Sequence, residues 1–126
     1  MSLLVRAFPL RASPADLRGF VSALQNERKA EALAFYEEHG VTHESWYLQD
    51  TPAGPLVIGL TQVRDVATAT ASFAQCRTGF AAWFKEQVQA LSGVDQNESP
   101  KGPPTTLVYE YSDTPDTCAH FAPPGA

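Results

Sequence analysis

Two strand-like runs, VTHESWYLQD (residues 41–50) and PLVIGLTQV (55–63), are separated only by TPAG, and that spacing constrains the fold most. Runs rich in β-branched and aromatic residues on either side of a proline–glycine turn fold back as an antiparallel hairpin. Pro55 falls at a strand start, where its missing N–H does least harm. Upstream, LLVRAF (3–8) is short, apolar and alternating, and Pro9 ends its ladder donors, which predicts a first strand. Ser13, Pro14 and Asp16 make a helix start, with serine as N-cap, proline at the first helical position and an acid in the first turn. The helix is expected over 14–39, stopping at Gly40.

Downstream, Asp65 is placed to cap a helix through about Gln75, CRTG breaks the pattern, and Phe80, Trp83, Phe84, Val88 and Leu91 repeat at helical steps. Such a stripe of aromatics is core far more often than a cofactor box. GVDQNESPKGPP reads as a loop and TTLVYEY (105–111) as the last strand. The resulting order, β-α-β-β-α-β, is the ferredoxin-like α+β sandwich, with helices on one face of an antiparallel sheet. Residues 1–112 form that domain and 113–126 a Pro-rich tail. Leu3 and Val5 alternate with Leu4 and Phe8, and Leu56, Ile58 and Leu60 with Val57. Apolar residues on both faces require cover on the second face as well, and a homodimer through the sheet supplies it.

The 126 residues, 44% hydrophobic and 18% charged, suit one globular domain. A net charge of −5 provides no basic field for phosphates, so nucleic acid is not an expected partner. No apolar run is long enough to span a bilayer, and MSLLVRAFPL lacks the features of a signal peptide, which points away from membranes and toward the cytoplasm. Cys76 and Cys118 read as free thiols. No P-loop or nucleophile elbow occurs, and no cofactor is expected.

Charges stand where apolar residues belong in ERKAEALAFYEEHGVTHESWYL (27–48). On a helical wheel the stripe through Leu17, Phe20, Val21, Leu24 and Phe35 also takes in Arg28 and Glu31, which at three residues apart pair with one another. They read either as a structural ion pair or as a catalytic pair, Glu31 the general base or anchor and Arg28 tuning it or holding an anion. Along the strand, alternation sets Glu44, Trp46 and Leu48 on one face and His43, Ser45 and Tyr47 on the other. Glu44, Trp46, His43 and Tyr47 are the substrate-binding candidates, and the sequence leaves open which face meets the helices. Glu44 also reads as an edge-strand charge that discourages aggregation. His39 and His43 are four apart, but Gly40 separates a helix end from a strand, so the helical rule that brings such residues together does not apply and no metal is expected. His39 suits the negative end of the helix dipole.

From about 3 to 111 the chain resembles the dimeric α+β barrel superfamily. ERKAEALAFYEEHGVTHESWYL, RDVATATASF and GFAAWFKEQV are similar to a bacterial domain family of unknown function, in which a helix bearing Arg and Glu runs into G-V and then a strand containing E-S before an aromatic. Glu44 matches the glutamate of that strand. The superfamily includes antibiotic-biosynthesis-type monooxygenases, muconolactone isomerases, haem-degrading enzymes and stress-responsive barrels, so the resemblance implies fold far more than chemistry. It implies a homodimer packed sheet to sheet around a pocket, acting as a cofactor-independent, monooxygenase-like or isomerase-like enzyme on a small molecule. The alternatives are a non-catalytic ligand-binding or accessory dimer and a solidly packed structural interface.

Overall fold

The computed structural model describes residues 2–97, 104–111 and 113. Three strands, β1 (Ser2–Pro9), β2 (Val41–Thr51) and β3 (Gly54–Val63), form one antiparallel sheet in the order β1-β3-β2. Because β1 and β2 both run antiparallel to β3, they are parallel to each other across it, the split arrangement that a helical crossover produces.

The expected first helix is two helices, α1 (Pro14–Gln25) and α2 (Lys29–Glu38). Its start is as anticipated: Ser13 Oγ accepts from the Asp16 amide at 3.1 Å while the Asp16 carboxylate accepts from the Ser13 amide at 3.2 Å. The interruption comes at Asn26, whose side-chain amide donates to the Ser22 carbonyl at 2.8 Å and so satisfies the helix end locally. The Arg28 amide then reaches back to the Ala23 carbonyl in a wide turn, and a new helix begins at Lys29. The wheel drawn from Leu17 loses its phase at that turn. Leu17 and Phe20 from α1 and Ala32 and Phe35 from α2 are buried, whereas Arg28 and Glu31 keep 34% and 51% of their side chains exposed.

Helices α3 (Val66–Gln75) and α4 (Gly79–Ser92) fall where the sequence places them. Asp65 opens α3 by accepting from the Thr68 hydroxyl rather than from a backbone amide. Gly93 ends α4 at φ +76°, a left-handed cap that suits glycine. Phe20, Phe35, Phe73 and Phe84 meet between the sheet and the helices with ring centroids 5.4–6.3 Å apart, and Trp46, Phe80 and Trp83 pack against them. Lys85 is buried beside this cluster and donates to the carbonyls of Phe73 and Cys76 at 2.5 Å each, capping the C-terminal end of α3.

The last expected strand does not form within the described chain. Residues 104–111 join no ladder, and Leu107, Val108, Tyr109 and Tyr111 are exposed. The segment touches β1 through a side chain, Thr105 Oγ1 donating to the Val5 carbonyl at 2.5 Å. Alternation alone does not make a strand: its apolar side chains need a layer to be buried against, and none among the described residues packs on these. The fold among the described residues is thus α+β with a three-stranded antiparallel sheet and four helices, compatible with a ferredoxin-like plan whose fourth strand is not formed. No helix among them is long and apolar enough to cross a membrane. The tail expected over 113–126, Cys118 included, lies outside the described residues apart from Asp113.

Candidate functional site

Register decides which residues meet the helices. Phe8 pairs with Val57, Arg6 with Gly59 and Leu4 with Thr61, while Glu44, Trp46 and Leu48 on β2 face the same three β3 residues. Val57, Thr61 and Val63 are buried, so this side carries the core. His43, Ser45 and Tyr47 fall on the opposite face with Leu56, Ile58 and Leu60, where Leu3 and Tyr47 stay exposed. The four binding candidates therefore separate, Glu44 and Trp46 toward the helices and His43 and Tyr47 on the open face.

A break in register near the start of β2 adds to the helix side. Val41 pairs with Val63 and His43 with Gln62, leaving Thr42 as an extra residue. Such a bulge lets Val41 and Glu44, three apart, point to one side, which strict alternation forbids.

Between this face and the helices lies a cavity of about 70 Å³. Its wall is mainly apolar, with Phe8, Phe35, Trp46, Phe73 and Phe84 among the lining residues, but Arg6, Tyr36, His39, Glu44 and Thr61 also line it. The Glu44 carboxylate accepts from Trp46 Nε1 at 2.6 Å and from Thr61 Oγ1 at 2.8 Å. Tyr36 on α2 has its phenol pushed up to about 12, first by burial and then by the Glu44 charge, so it stays a neutral donor. Arg6 donates from Nη1 to the Val5 carbonyl at 3.0 Å, and its Nε is buried with no hydrogen-bond partner among the described residues. Burial lowers its guanidinium from the ordinary value without making it neutral. His39 is buried against Phe35, ring centroids 4.4 Å apart, with Nδ1 2.6 Å from Ser72 Oγ.

Tyr36, Val41 and Glu44 also line an outer groove of about 350 Å³, together with Leu33, Glu37, Thr42, His43 and Arg64. These three residues thus stand between an interior cavity and open solvent, and His43 joins Glu44 along the groove.

Arg28 and Glu31 lie elsewhere and do not line the cavity. Their ion pair is 3.4 Å long, and the Arg28 guanidinium sits 4.2 Å from the centroid of the Trp83 ring. Sequence reasoning missed Arg6, Tyr36 and Thr61. One signal was available: Arg6 interrupts an otherwise apolar alternation between Leu4 and Phe8. Tyr36 carries no such signal, because a tyrosine one residue from the core position Phe35 looks like ordinary packing.

No protein-family model, curated protein or solved structure matches this chain. What the fold and the site define is an α+β domain with a polar cluster enclosed between sheet and helices.

Proposed function

We propose that this is a small-molecule-binding α+β domain that works as a homodimer through its open sheet face, with a ligand site in each protomer anchored by Glu44. The observation that carries the reading is the placement of that carboxylate. It sits in a mainly apolar wall, held by Trp46 and Thr61 and facing Tyr36, at the partition between cavity and groove. The residue is half-buried, and a carboxylate held by two side-chain donors in a mainly apolar wall, still reachable from the groove, is suited to meet a ligand.

The interior volume is well below the roughly 300–1,000 Å³ of a drug-sized pocket, and it holds about two waters at roughly 30 Å³ each. Only the polar head of a ligand fits inside, presenting a donor to Glu44 and an acceptor to Arg6, while its body lies along the groove. The dimer is supported by Leu3, Val5, Leu56, Ile58 and Leu60 sharing the face away from the helices.

One observation favours catalysis as a second reading. A carboxylate beside a phenol that stays protonated is a base and an acid side by side, the pair an isomerase-like or monooxygenase-like enzyme needs to move a proton across a ligand.

Native mass spectrometry of freshly purified protein tests both parts. The expected spectrum is a dimer with one small added mass per protomer, and Glu44→Gln keeps the dimer but loses that mass. The reading is overturned by a variant that retains the same mass, or by a wild type that carries none and is not stabilised thermally by a panel of small amines, amino acids and hydroxy acids. For the catalytic reading, Tyr36→Phe should retain the ligand and lose its turnover.

A further inference from the structure

Helices α2 and α3 end at the same place. His39 is the C-terminal cap of α2 and Cys76 that of α3, and Glu38 is the last residue of α2. A carboxylate oxygen of Glu38, a ring nitrogen of His39 and the Cys76 thiol all lie within 4.8 Å of one another. The three differ in burial in a way that suits a bound ion: His39 is buried, Cys76 is half-buried, and Glu38 is exposed and open to entry from solvent.

We propose that Glu38, His39 and Cys76 form a binding site for a divalent transition-metal ion, with zinc the ion the donors suit. Mixed nitrogen, sulfur and oxygen donors are the ligand set of zinc, and three protein ligands leave a fourth tetrahedral position for water or a small ligand. Two features of the fold support the assignment independently of the cluster. The C-terminus of α2 directs the negative end of its dipole here, and that field favours a cation, whereas the end of α3 is already capped by Lys85. His39 Nδ1 is already 2.6 Å from Ser72 Oγ, an outer contact that fixes the ring as metal-bound histidines are fixed. Side-chain movements of under an ångström or so would close the three donors onto an ion with bonds of about 2.0–2.3 Å.

Lys85 is the charged neighbour that must be reckoned with. Its ammonium is bound to the Phe73 and Cys76 carbonyls and to Asn97 Oδ1 at 3.0 Å, and Arg77 adds a second positive charge. Both oppose a dication, and the ammonium does so at close range, because it is bound to the carbonyl of Cys76 itself. Among the described residues the site has one histidine, since His43 lies on the other face of the sheet. The site shares His39 with the wall of the cavity that Glu44 lines but does not use Glu44 itself, so cobalt binding and ligand retention in Glu44→Gln test the two readings apart.

Cobalt(II) titrated into reduced, chelator-stripped full-length protein tests the site without reference to any activity. One equivalent is expected to produce a thiolate-to-cobalt charge-transfer band in the near ultraviolet, displaced by zinc. Cys76→Ser should abolish the band, Glu38→Gln should weaken binding at least tenfold, and Cys118→Ser should leave it intact. Because Glu38 is exposed, its variant remains a test should Cys76→Ser fail to fold. The proposal is overturned if no band forms, if it survives Cys76→Ser, if it depends on Cys118, or if Glu38→Gln binds as the wild type does.

Discussion

Residue by residue, the charges that stand out in the sequence part company in the fold: Glu44 lines the cavity, and Arg28 and Glu31 do not. Arg28 and Glu31 are conspicuous on a helical wheel, yet their pair is largely solvated, and pairs of that kind contribute about 0–1 kcal/mol. Thermal denaturation of Glu31→Gln is expected to match the wild type within about 0.5 kcal/mol. Arg28→Ala should cost slightly more, about 0.5–1 kcal/mol, through lost contact with the Trp83 ring. Tyr36 is the quieter residue with the larger signature. Burial, and then the Glu44 charge, push its phenol up to about 12 from the ordinary 10.0, so the folded state holds the phenolic proton more tightly than the unfolded chain does. The stability it contributes is complete below about pH 10 and is lost as pH rises toward 12. Subtracting the alkaline absorbance titration of Tyr36→Phe from that of the wild type should leave one phenolate with a midpoint near 12. A midpoint near 10 would mean that neither burial nor Glu44 acts on it.

Within single elements, what the sequence discloses is what neighbours in the chain settle among themselves. The Ser13–Pro14–Asp16 start, the Gly40 stop, the TPAG turn and the break at CRTG all depend on contacts over a few residues, and all are found where expected. The turn at Asn26 is local too, but an asparagine that bonds its own helix end looks the same in sequence as one that points to solvent. The face of β2 is a different matter. It is set by pairing with β3 and by what packs on the sheet, and no residue of β2 records either. Gly59 shows how an element shapes the cavity. It stands between Arg6 and Trp46 in the middle of the sheet, and a Cβ there would sit 3.8 Å from Trp46 Nε1, an ordinary contact. Gly59→Ala should therefore fold, gain about 0.5–1 kcal/mol from a less flexible unfolded chain, and bind ligand more weakly because a methyl group enters the cavity. A melting temperature that rises with ligand binding unchanged would show that the cavity is not where the ligand sits.

For the molecule as a whole, the open sheet face is the feature the proposed dimer depends on. Ile58 lies at its centre, paired with Ala7 on one side and Tyr47 on the other. Ile58→Asp places a charge there without touching the helix-side core, so size-exclusion chromatography should show a dimer turned into a folded monomer; a wild-type monomer, or a variant that stays dimeric, would remove the sheet from the interface. The long-range arrangement explains what sequence could and could not supply: Arg6, Tyr36, Glu44 and Thr61 come from β1, α2, β2 and β3, and their meeting is a property of register and crossover rather than of any stretch of residues. The bulge at Thr42 carries that dependence into how the chain tolerates changes of length. Because Thr42 is the extra residue, deleting it restores regular pairing and leaves Glu44 opposite Thr61. Deleting any one residue from Ser45 to Asp50 instead slides the strand by one position and exchanges its two faces. A scan of single-residue deletions along β2, read by folding and ligand retention, should show one permissive position at the bulge followed by a run of intolerant ones.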